Sequence, residues 1–191
     1  ICDWFLCDFG SSIKKMGDNL VDATTELYDL VGEQLLPTPL KSHYTYNLRD
    51  LSKVFQGILM VGPKECNESI TAARLWLHEA SRVFSDRLIN IEDRAWFKET
   101  SVEMLRRYMG GAAPKEGWEI DLLFGAEPVI FGHYMRPGAA TIKYEEADNI
   151  KKVGKIFNDF LGEYNDPANK NTAMDLVFFK DAIEHISRIA R

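Results

Sequence analysis

The spacing of apolar residues predicts a long helix at the start of the chain. These residues recur at steps of three, four and seven, which places them on one stripe of a helix that ends before Pro37. Pro37 and Pro39 then stop the helix, because proline cannot donate the backbone hydrogen bond that a helix interior requires. The apolar positions of this stripe are Ile13, Met16, Leu20, Leu27, Leu30, Val31 and Leu35.

A second and a third helix follow. Asn47 and Asp50 form a capping pair, since the Asn side chain can accept a hydrogen bond from an unpaired amide and the Asp complements the positive helix end. This pair predicts a helix over 48–61. After a break of Gly, Pro and Asn, helical periodicity resumes over 68–89.

A fourth helix is predicted to begin after Asn90 and to end at 110–111. Glu92 and Asp93 follow Asn90 closely, which repeats the pattern of a capping residue and an acidic first turn. The two glycines at 110–111 are typical of a helix end.

The second part of the sequence is less regular. The region 111–144 contains too many glycines and prolines for a long element, and its apolar clusters at 122–124 and 129–131 are expected to pack on the helical body. Helical periodicity returns over 144–164, and 176–191 reads as a last amphipathic helix or the strand that leads into one. The predicted fold class is mostly α, with little or no sheet.

Composition narrows the classes of protein. The 191 residues include 23 Lys and Arg against 29 Asp and Glu, a formal charge of −6, and no basic stripe that would favour a nucleic-acid partner. No apolar window is long enough to cross a membrane. Cys2, Cys7 and Cys66 form neither a disulfide framework nor a metal pair, so we expect reduced thiols.

The missing initial Met and a final helical pattern that stops at Arg191 indicate a piece of a longer polypeptide.

Two motifs that could carry chemistry are incomplete. His78 and Glu79 begin like a metalloprotease helix, but Arg82 occupies the position of the second His, so no zinc pair can form. The Gly-rich segment 110–115 lacks the Gly-Lys-Ser/Thr ending of a phosphate loop. A flexible linker is the better interpretation of that segment.

Isolated carboxylates and histidines have simpler explanations than catalysis. Glu145, Glu146 and Asp148 are interpreted as the solvated first turn of the helix predicted over 144–164, where they favour the helix dipole. The histidines have no partner at ligand spacing and are expected to be structural. They are His43, His133 and His185.

Three segments resemble the dynein heavy chain family. LLPTPLKSHYTYNLRDLSKVFQGIL (35–59) resembles the small helical lid of the third AAA+ module, and RLWLHEASRVFSDRLINIEDRAWF (74–97) continues the same pattern. MDLVFFKDAIEHISRIAR (174–191) resembles the beginning of the fourth module, before its phosphate loop. The segments LLPTP, NLRDLSK and VFQGIL are most similar to axonemal heavy chains, with the inner arm as the candidate and the choice between inner and outer arm left open.

The resemblance implies a division of the chain. Residues 1–110 would form the AAA+ lid of the third module, 111–143 an irregular connector, and 144–191 the helical beginning of the fourth module. The parent protein would be a microtubule motor ATPase with a coiled coil, using ATP or ADP with Mg²⁺. The fragment has no Walker A or Walker B motif, so it is expected to be inactive and to bind no nucleotide in isolation.

Arg49 is the residue that matches the family's phosphate-contacting lid arginine. It lies at the second position of the helix capped by Asn47, where a permanent guanidinium charge and the helix end both favour an anion. The alternative is that Arg49 only pairs with Asp50, Asp86 or another carboxylate.

The resemblance also implies two adenine-facing groups. Pro39 and Leu40 would line the adenine side of the third site, or they simply shape the turn. Leu176, Val177 and Phe178 would face the adenine of the fourth site, or they are ordinary core residues. Both nucleotide sites would be halves completed by other parts of the heavy chain.

The function that the resemblance implies is coupling of nucleotide state to ring conformation in ciliary or flagellar motility. The partners would be neighbouring AAA+ large subdomains of the same heavy chain, with microtubules and the intermediate and light chains engaged only through the parent. The location would be the cytoskeleton, in the axoneme of a cilium or flagellum. The alternative is a free-standing helical interaction module with a partner groove around 118–131. An all-α enzyme has no sequence feature in its favour.

Overall fold

A computed structural model describes residues 8–113, 117–125, 128–169 and 172–190. In these residues the regular secondary structure is helical apart from one sheet of two short strands, so the mostly α prediction is confirmed. The chain divides into two compact units, Ile1–Gly125 and Ala126–Arg191. Residues of the predicted connector 111–143 fall in both units.

The first helix, α1, spans Ser11–Gln34. Its predicted end before Pro37 is confirmed, and the amide of Leu35 closes it by donating to the carbonyl of Val31. Leu30 is half-buried, whereas the other apolar residues of the predicted stripe are buried. Gly10 at the cap position has no side chain that could cap the helix, so the helix is held chiefly by its buried apolar stripe.

Three more helices complete the body of the first unit. α2 spans Leu48–Ile58 and ends three residues earlier than predicted. α3 spans Ser69–Ala80 and continues directly into a π-helical turn, Ser81–Ser85. α4 spans Ile91–Met109. The sequence pattern over 68–89 did not distinguish the π-helical turn from an α-helix.

The cap predicted for α4 is partly wrong. Asn90 occupies the cap position, but its side chain makes no capping hydrogen bond. Glu92 and Asp93 lie in the first turn as predicted. The Asp93 carboxylate is used elsewhere, because it accepts hydrogen bonds from Lys41 and Tyr44 of the loop before α2.

The core of the first unit lies between α1, α3 and α4. Trp76 is fully buried, and its indole Nε1 donates to Thr24 Oγ1 at 2.8 Å, which joins α3 to α1. The rings of Phe84 and Phe97 pack 6.5 Å apart, joining the π-helical turn to α4. Cys66 is also buried, whereas Cys2 and Cys7 lie outside the described residues.

The close approach of α2 to α3 depends on Gly57. A Cβ atom at this position would lie 1.9 Å from Oε2 of Glu79, a fully buried carboxylate on α3. Arg82 Nε donates to that same Oε2 at 3.1 Å. His78, the residue before Glu79, is also buried, so the His78-Glu79 motif belongs to the core of the unit.

Residues after α4 pack on the first unit. Trp118 is buried and its Nε1 donates to the carbonyl of Met109 at 2.9 Å. A short helix, α5, spans Ile120–Phe124, and Arg74 donates to the carbonyl of Leu123 at 3.0 Å. These contacts agree with the expectation that apolar side chains here are pinned to the helical body.

The second unit contains a small sheet and two helices. β1, Phe131–Gly132, pairs in antiparallel orientation with β2, Glu145–Glu146. α6 spans Ile150–Tyr164 and α7 spans Lys180–Ile189. The core between them is formed by Ile130, Tyr134, Val153, Phe157 and Ile183.

The interpretation of Glu145, Glu146 and Asp148 as a helical first turn is wrong, because all three residues precede the helix. The two glutamates form β2, because Tyr144 is buried beside Phe131 with ring centroids 6.0 Å apart, and backbone pairing with β1 satisfies the strand. α6 begins only at Ile150. The Asn149 side chain caps it by accepting a hydrogen bond from the Lys151 amide. Asp148 precedes that cap and pairs with Lys152 at 2.8 Å.

None of the helices in the described parts of the chain is both long enough and apolar enough to cross a bilayer.

Candidate functional site

The first turn of α2 is fixed by a reciprocal capping box. The Asn47 side chain accepts hydrogen bonds from the amides of Arg49 at 2.9 Å and Asp50 at 3.3 Å. Asp50 Oδ2 in turn accepts from the Asn47 amide at 3.2 Å. The predicted capping pair is confirmed, and it places Arg49 at the second helical position.

The burial pattern of α2 directs Arg49 towards the surface. Asp50, Val54 and Gly57 are buried at steps of four and three, so they define the face that packs on the unit. Arg49 lies outside this stripe and is exposed. An open concavity of about 470 Å³ on this exposed face is lined by Leu48, Arg49, Ser52, Lys53 and Gln56.

The Arg49 guanidinium makes no hydrogen bond or ion pair with any other residue that the structure describes. The alternative expectation paired it with Asp50 or Asp86. Asp50 is instead occupied by Arg87 and Lys53, whose nitrogens lie 3.3 and 3.1 Å from Oδ1. Arg49 is therefore available to a group supplied from outside the described residues.

Asp50 is a buried carboxylate whose charge is compensated. Burial alone would raise its pKa, but hydrogen bonds from Lys53 and Arg87 outweigh that effect and hold the pKa of Asp50 below its usual value. Its side chain is 4% exposed. Asp50 thus remains ionised and paired at the base of the turn that carries Arg49.

The loop before α2 is anchored on the beginning of α4. Lys41 Nζ lies 2.6 Å from Asp93 Oδ2, and the Tyr44 hydroxyl donates to the same oxygen at 2.9 Å. The hydrogen bond from Lys41, supported by that from Tyr44, lowers the pKa of Asp93. Tyr44 also accepts from the Ile89 amide at 3.0 Å. The loop therefore approaches α2 from a fixed position.

Tyr46 lies next to this anchor and is partly buried. Burial raises the pKa of its hydroxyl to about 12, although the neighbouring Arg87 charge opposes the shift. The Arg87 guanidinium carbon lies 4.9 Å from the centroid of the Tyr46 ring. Tyr46 is therefore a neutral aromatic platform beside the first turn of α2.

The residues predicted to face adenine lie in both units. Pro39 and Leu40 are exposed in the loop before α2, with Leu40 89% exposed. In the second unit, Leu176 and Val177 are exposed in the segment before α7, whereas Phe178 packs on Phe157 with ring centroids 5.8 Å apart. Pro39 and Leu40 are close to Arg49 in sequence, so we assign them to the same candidate site.

The remaining candidate ligands do not assemble into a metal centre. No group of three or more His, Cys, Asp and Glu side chains in the described ranges could hold a metal ion. His43 is exposed, and its Nε2 lies 2.9 Å from the carbonyl oxygen of Arg87.

Sequence reasoning missed Arg87 and the Lys41–Asp93 pair. Arg87 lies 37 positions after Asp50, and Asp93 lies 52 positions after Lys41. Neither pair shares a helix, so no local spacing connects them. Only the packing of the loop on the turn between α3 and α4 brings these charges together.

Comparison with known proteins places this geometry in a class. Residues 20–112 match the AAA+ lid domain family, the class that the helices of the first unit define. Over 193 aligned residues and 100% of its length, the chain is 43% identical to dynein axonemal heavy chain 6 of Homo sapiens. It is 41% identical to dynein axonemal heavy chain 1 of Mus musculus over 94% of its length, and 34% identical to the dynein alpha chain, flagellar outer arm, of Chlamydomonas reinhardtii over 96%. The chain belongs to the dynein heavy chain family, and it spans 4% of the length of each of these relatives.

Proposed function

We propose that this chain is the lid of a third AAA+ module, with the connector to a fourth, in an axonemal dynein heavy chain. Its role is to couple the nucleotide state of the module to the conformation of the ring. The observation that carries the proposal is the Arg49 guanidinium, exposed and unpaired among the described residues at the capped first turn of α2. In this role Arg49 binds a phosphate of a nucleotide held mainly by another subdomain.

The residues around Arg49 fit a phosphate chemically. Arg49 supplies a positive charge on this face of α2 that no described residue pairs, Ser52 adds a hydroxyl, and the helix end favours an anion. Pro39 and Leu40 are exposed just before this face and are suited to the apolar side of a purine. Mg²⁺ and the remaining phosphate ligands would come from the neighbouring large subdomain, since no metal-binding group is found in the described residues.

The attachment of Arg49 to the rest of the lid explains how nucleotide state would be coupled to lid position. The capping box makes its backbone part of α2, and the packing of α2 on α3 makes α2 part of the first unit. A phosphate that binds Arg49 in one nucleotide state and releases it in another would therefore shift the whole lid as a rigid body. In the heavy chain, such a shift would pass to neighbouring modules and from them to the microtubule-binding region.

The names of the relatives support a place in the cell. Dynein axonemal heavy chain 6 and the flagellar outer arm alpha chain are named for axonemes and flagella. We infer that the present chain works in the axoneme of a cilium or flagellum, where its direct partners are the other AAA+ modules of its own heavy chain.

The test is Arg49→Ala in the complete heavy chain. We expect Mg-ADP and Mg-ATP binding at the third module to weaken about tenfold or more, because a charge-assisted bond to phosphate is lost. Arg136→Ala is the matched control, since it removes an exposed arginine that pairs with Glu145 in the second unit. Unchanged affinity and motility of Arg49→Ala would refute the phosphate contact.

The structure gives no support to the alternative of an interaction module with a groove around 118–131. Trp118 and Leu123 are buried in the first unit, and Ile130 and Phe131 are buried in the second. These apolar side chains are buried by packing within their own units.

A further inference from the structure

Arg87 contacts the segment before and within the first turn of α2 at several points. Its Nη1 donates to the Thr45 carbonyl at 2.6 Å, its Nη2 lies 3.3 Å from Asp50 Oδ1, and its guanidinium lies over the Tyr46 ring. Its own carbonyl oxygen lies 2.9 Å from His43 Nε2. Arg87 lies in the turn between the π-helical turn and α4, so these contacts tie α2 to a distant part of the unit.

The negative charge of Asp50 would interfere with a phosphate contact of Arg49 if it were not compensated. Asp50 directly follows Arg49, and an uncompensated carboxylate there would attract the Arg49 guanidinium and repel an incoming phosphate. Instead, Arg87 and Lys53 occupy the Asp50 oxygens. Lys53 is itself half-exposed, with 54% of its side chain accessible, whereas Arg87 is 26% exposed. Arg87 is therefore the better shielded of the two partners and the less screened by solvent.

Lysine could not reproduce this arrangement. Arg87 reaches a backbone carbonyl and a carboxylate at once and lies over an aromatic ring. A planar guanidinium has donors in a fixed fork for such contacts, whereas an ammonium is a compact point charge.

We propose that Arg87 is a positioning residue for the phosphate contact of Arg49. It holds the Asp50 carboxylate in a paired state, so that Asp50 does not capture the Arg49 guanidinium. This inference rests on the proposed function of Arg49. It assigns to Arg87 a role in nucleotide affinity although Arg87 does not itself touch the nucleotide.

The test measures Mg-ADP affinity at the third module of the complete heavy chain in a double-mutant cycle. We expect Arg87→Ala to weaken binding about three- to tenfold when Arg49 is present. In an Arg49→Ala background the same change should have less than about a twofold effect, because there is no guanidinium left to capture.

Neutralising Asp50 separates positioning from general stability. In the Arg87→Ala background, Asp50→Asn should restore affinity to within about twofold of wild type, since no charged carboxylate competes for Arg49. If Arg87→Ala alone does not fold, Arg87→Lys, which keeps a positive charge but not the planar fork, replaces it in the same cycle. That variant should weaken binding when Arg49 is present and have less than about a twofold effect in the Arg49→Ala background, and equal effects in the two backgrounds would overturn the inference.

The outcomes distinguish the two proposals. If Arg49→Ala itself leaves affinity unchanged, the proposed function fails and the role of Arg87 fails with it. If Arg49→Ala weakens binding but Arg87→Ala does not, only the role of Arg87 is overturned. The same holds if Arg87→Ala weakens binding equally with and without Arg49, or if Asp50→Asn does not rescue it. Arg136→Ala again serves as the matched control, with no change expected.

Discussion

The first turn of α2 contains two opposite charges in succession, and their different environments explain the site. Asp50 faces the unit and is compensated by Arg87 and Lys53, whereas Arg49 faces outward without a partner in the described chain. Asp93, in the first turn of α4, binds Lys41 and Tyr44 of the loop before α2 in a similar way. Two paired carboxylates therefore lie beside the turn that carries Arg49.

These carboxylates predict how stability depends on pH. The pKa of Asp93 is lowered from 3.8 chiefly by the hydrogen bond from Lys41, and the pKa of Asp50 is also lowered from 3.8. A depressed pKa in the folded state contributes stability that is present above about pH 4 and is lost as the pH falls through the folded value. We expect the free energy of unfolding to drop as the pH falls below 4.

Urea unfolding of the chain at pH 7, 4 and 3 checks this expectation. Asp93→Asn should flatten the pH dependence, because the shifted group is removed. Asp148→Asn is the control, since the partner pair Asp148–Lys152 is highly exposed and such pairs contribute little. An Asp93→Asn curve parallel to that of wild type would contradict the account.

At the scale of elements, the contact of α2 with α3 decides how firmly the Arg49 turn is held. Gly57 on α2 leaves room for the fully buried Glu79 carboxylate, which is bound by Arg82. The side chain of Glu79 thus fills the space that a Cβ atom would need. This is a site where a glycine is required for close packing and not for a special backbone angle, since its φ is not positive.

A pair of glycine substitutions tests this packing. Gly57→Ala should lower the free energy of unfolding by about 1 to 3 kcal/mol, because the new methyl group would overlap the Glu79 carboxylate. Gly32→Ala in α1 is the matched control, since nothing lies within 4 Å of its added Cβ. That control should stabilise the chain by up to about 1 kcal/mol through helix propensity. Equal responses of the two variants in chemical denaturation would show that α2 and α3 do not pack as described.

The elements that could be predicted from sequence are those specified by nearby residues. The apolar stripe of α1 and the Asn47–Asp50 capping box involve spacings of three, four and seven residues, so both were recognisable. β2 was missed because a strand of two residues is defined by its partner at 131–132. The hydrogen-bond partners of Asp93 were missed for the same reason, since Lys41 and Tyr44 donate to it from the distant loop before α2.

At the scale of the whole molecule, the proposed function makes the candidate site only a part of a nucleotide site. The chain corresponds to 4% of the length of its relatives, and the proposed phosphate ligand Arg49 requires a nucleotide held by another subdomain. The resemblance predicted Arg49 and the lid. Neither the pairing of Asp50 with Arg87 nor the exposure of Leu40 could be predicted from spacing, because both depend on how the loop packs.

The proposed function predicts that the isolated 191-residue chain does not hydrolyse ATP. It lacks the Gly-Lys-Ser/Thr phosphate loop that positions the reacting phosphate. A phosphate-release assay with Mg-ATP should give the same signal as buffer, with a complete heavy chain as the positive control. Sustained turnover by the purified chain would mean that a catalytic site of another kind had been overlooked.

The most direct test of the central claim is a cryo-electron microscopy map of the complete heavy chain with nucleotide bound at the third module. The account predicts a nitrogen of Arg49 at about 2.7 to 2.9 Å from a phosphate oxygen, with Asp50 still paired to Arg87. A map in which the Arg49 guanidinium points into solvent, or pairs with a carboxylate while nucleotide occupies the module, would contradict it.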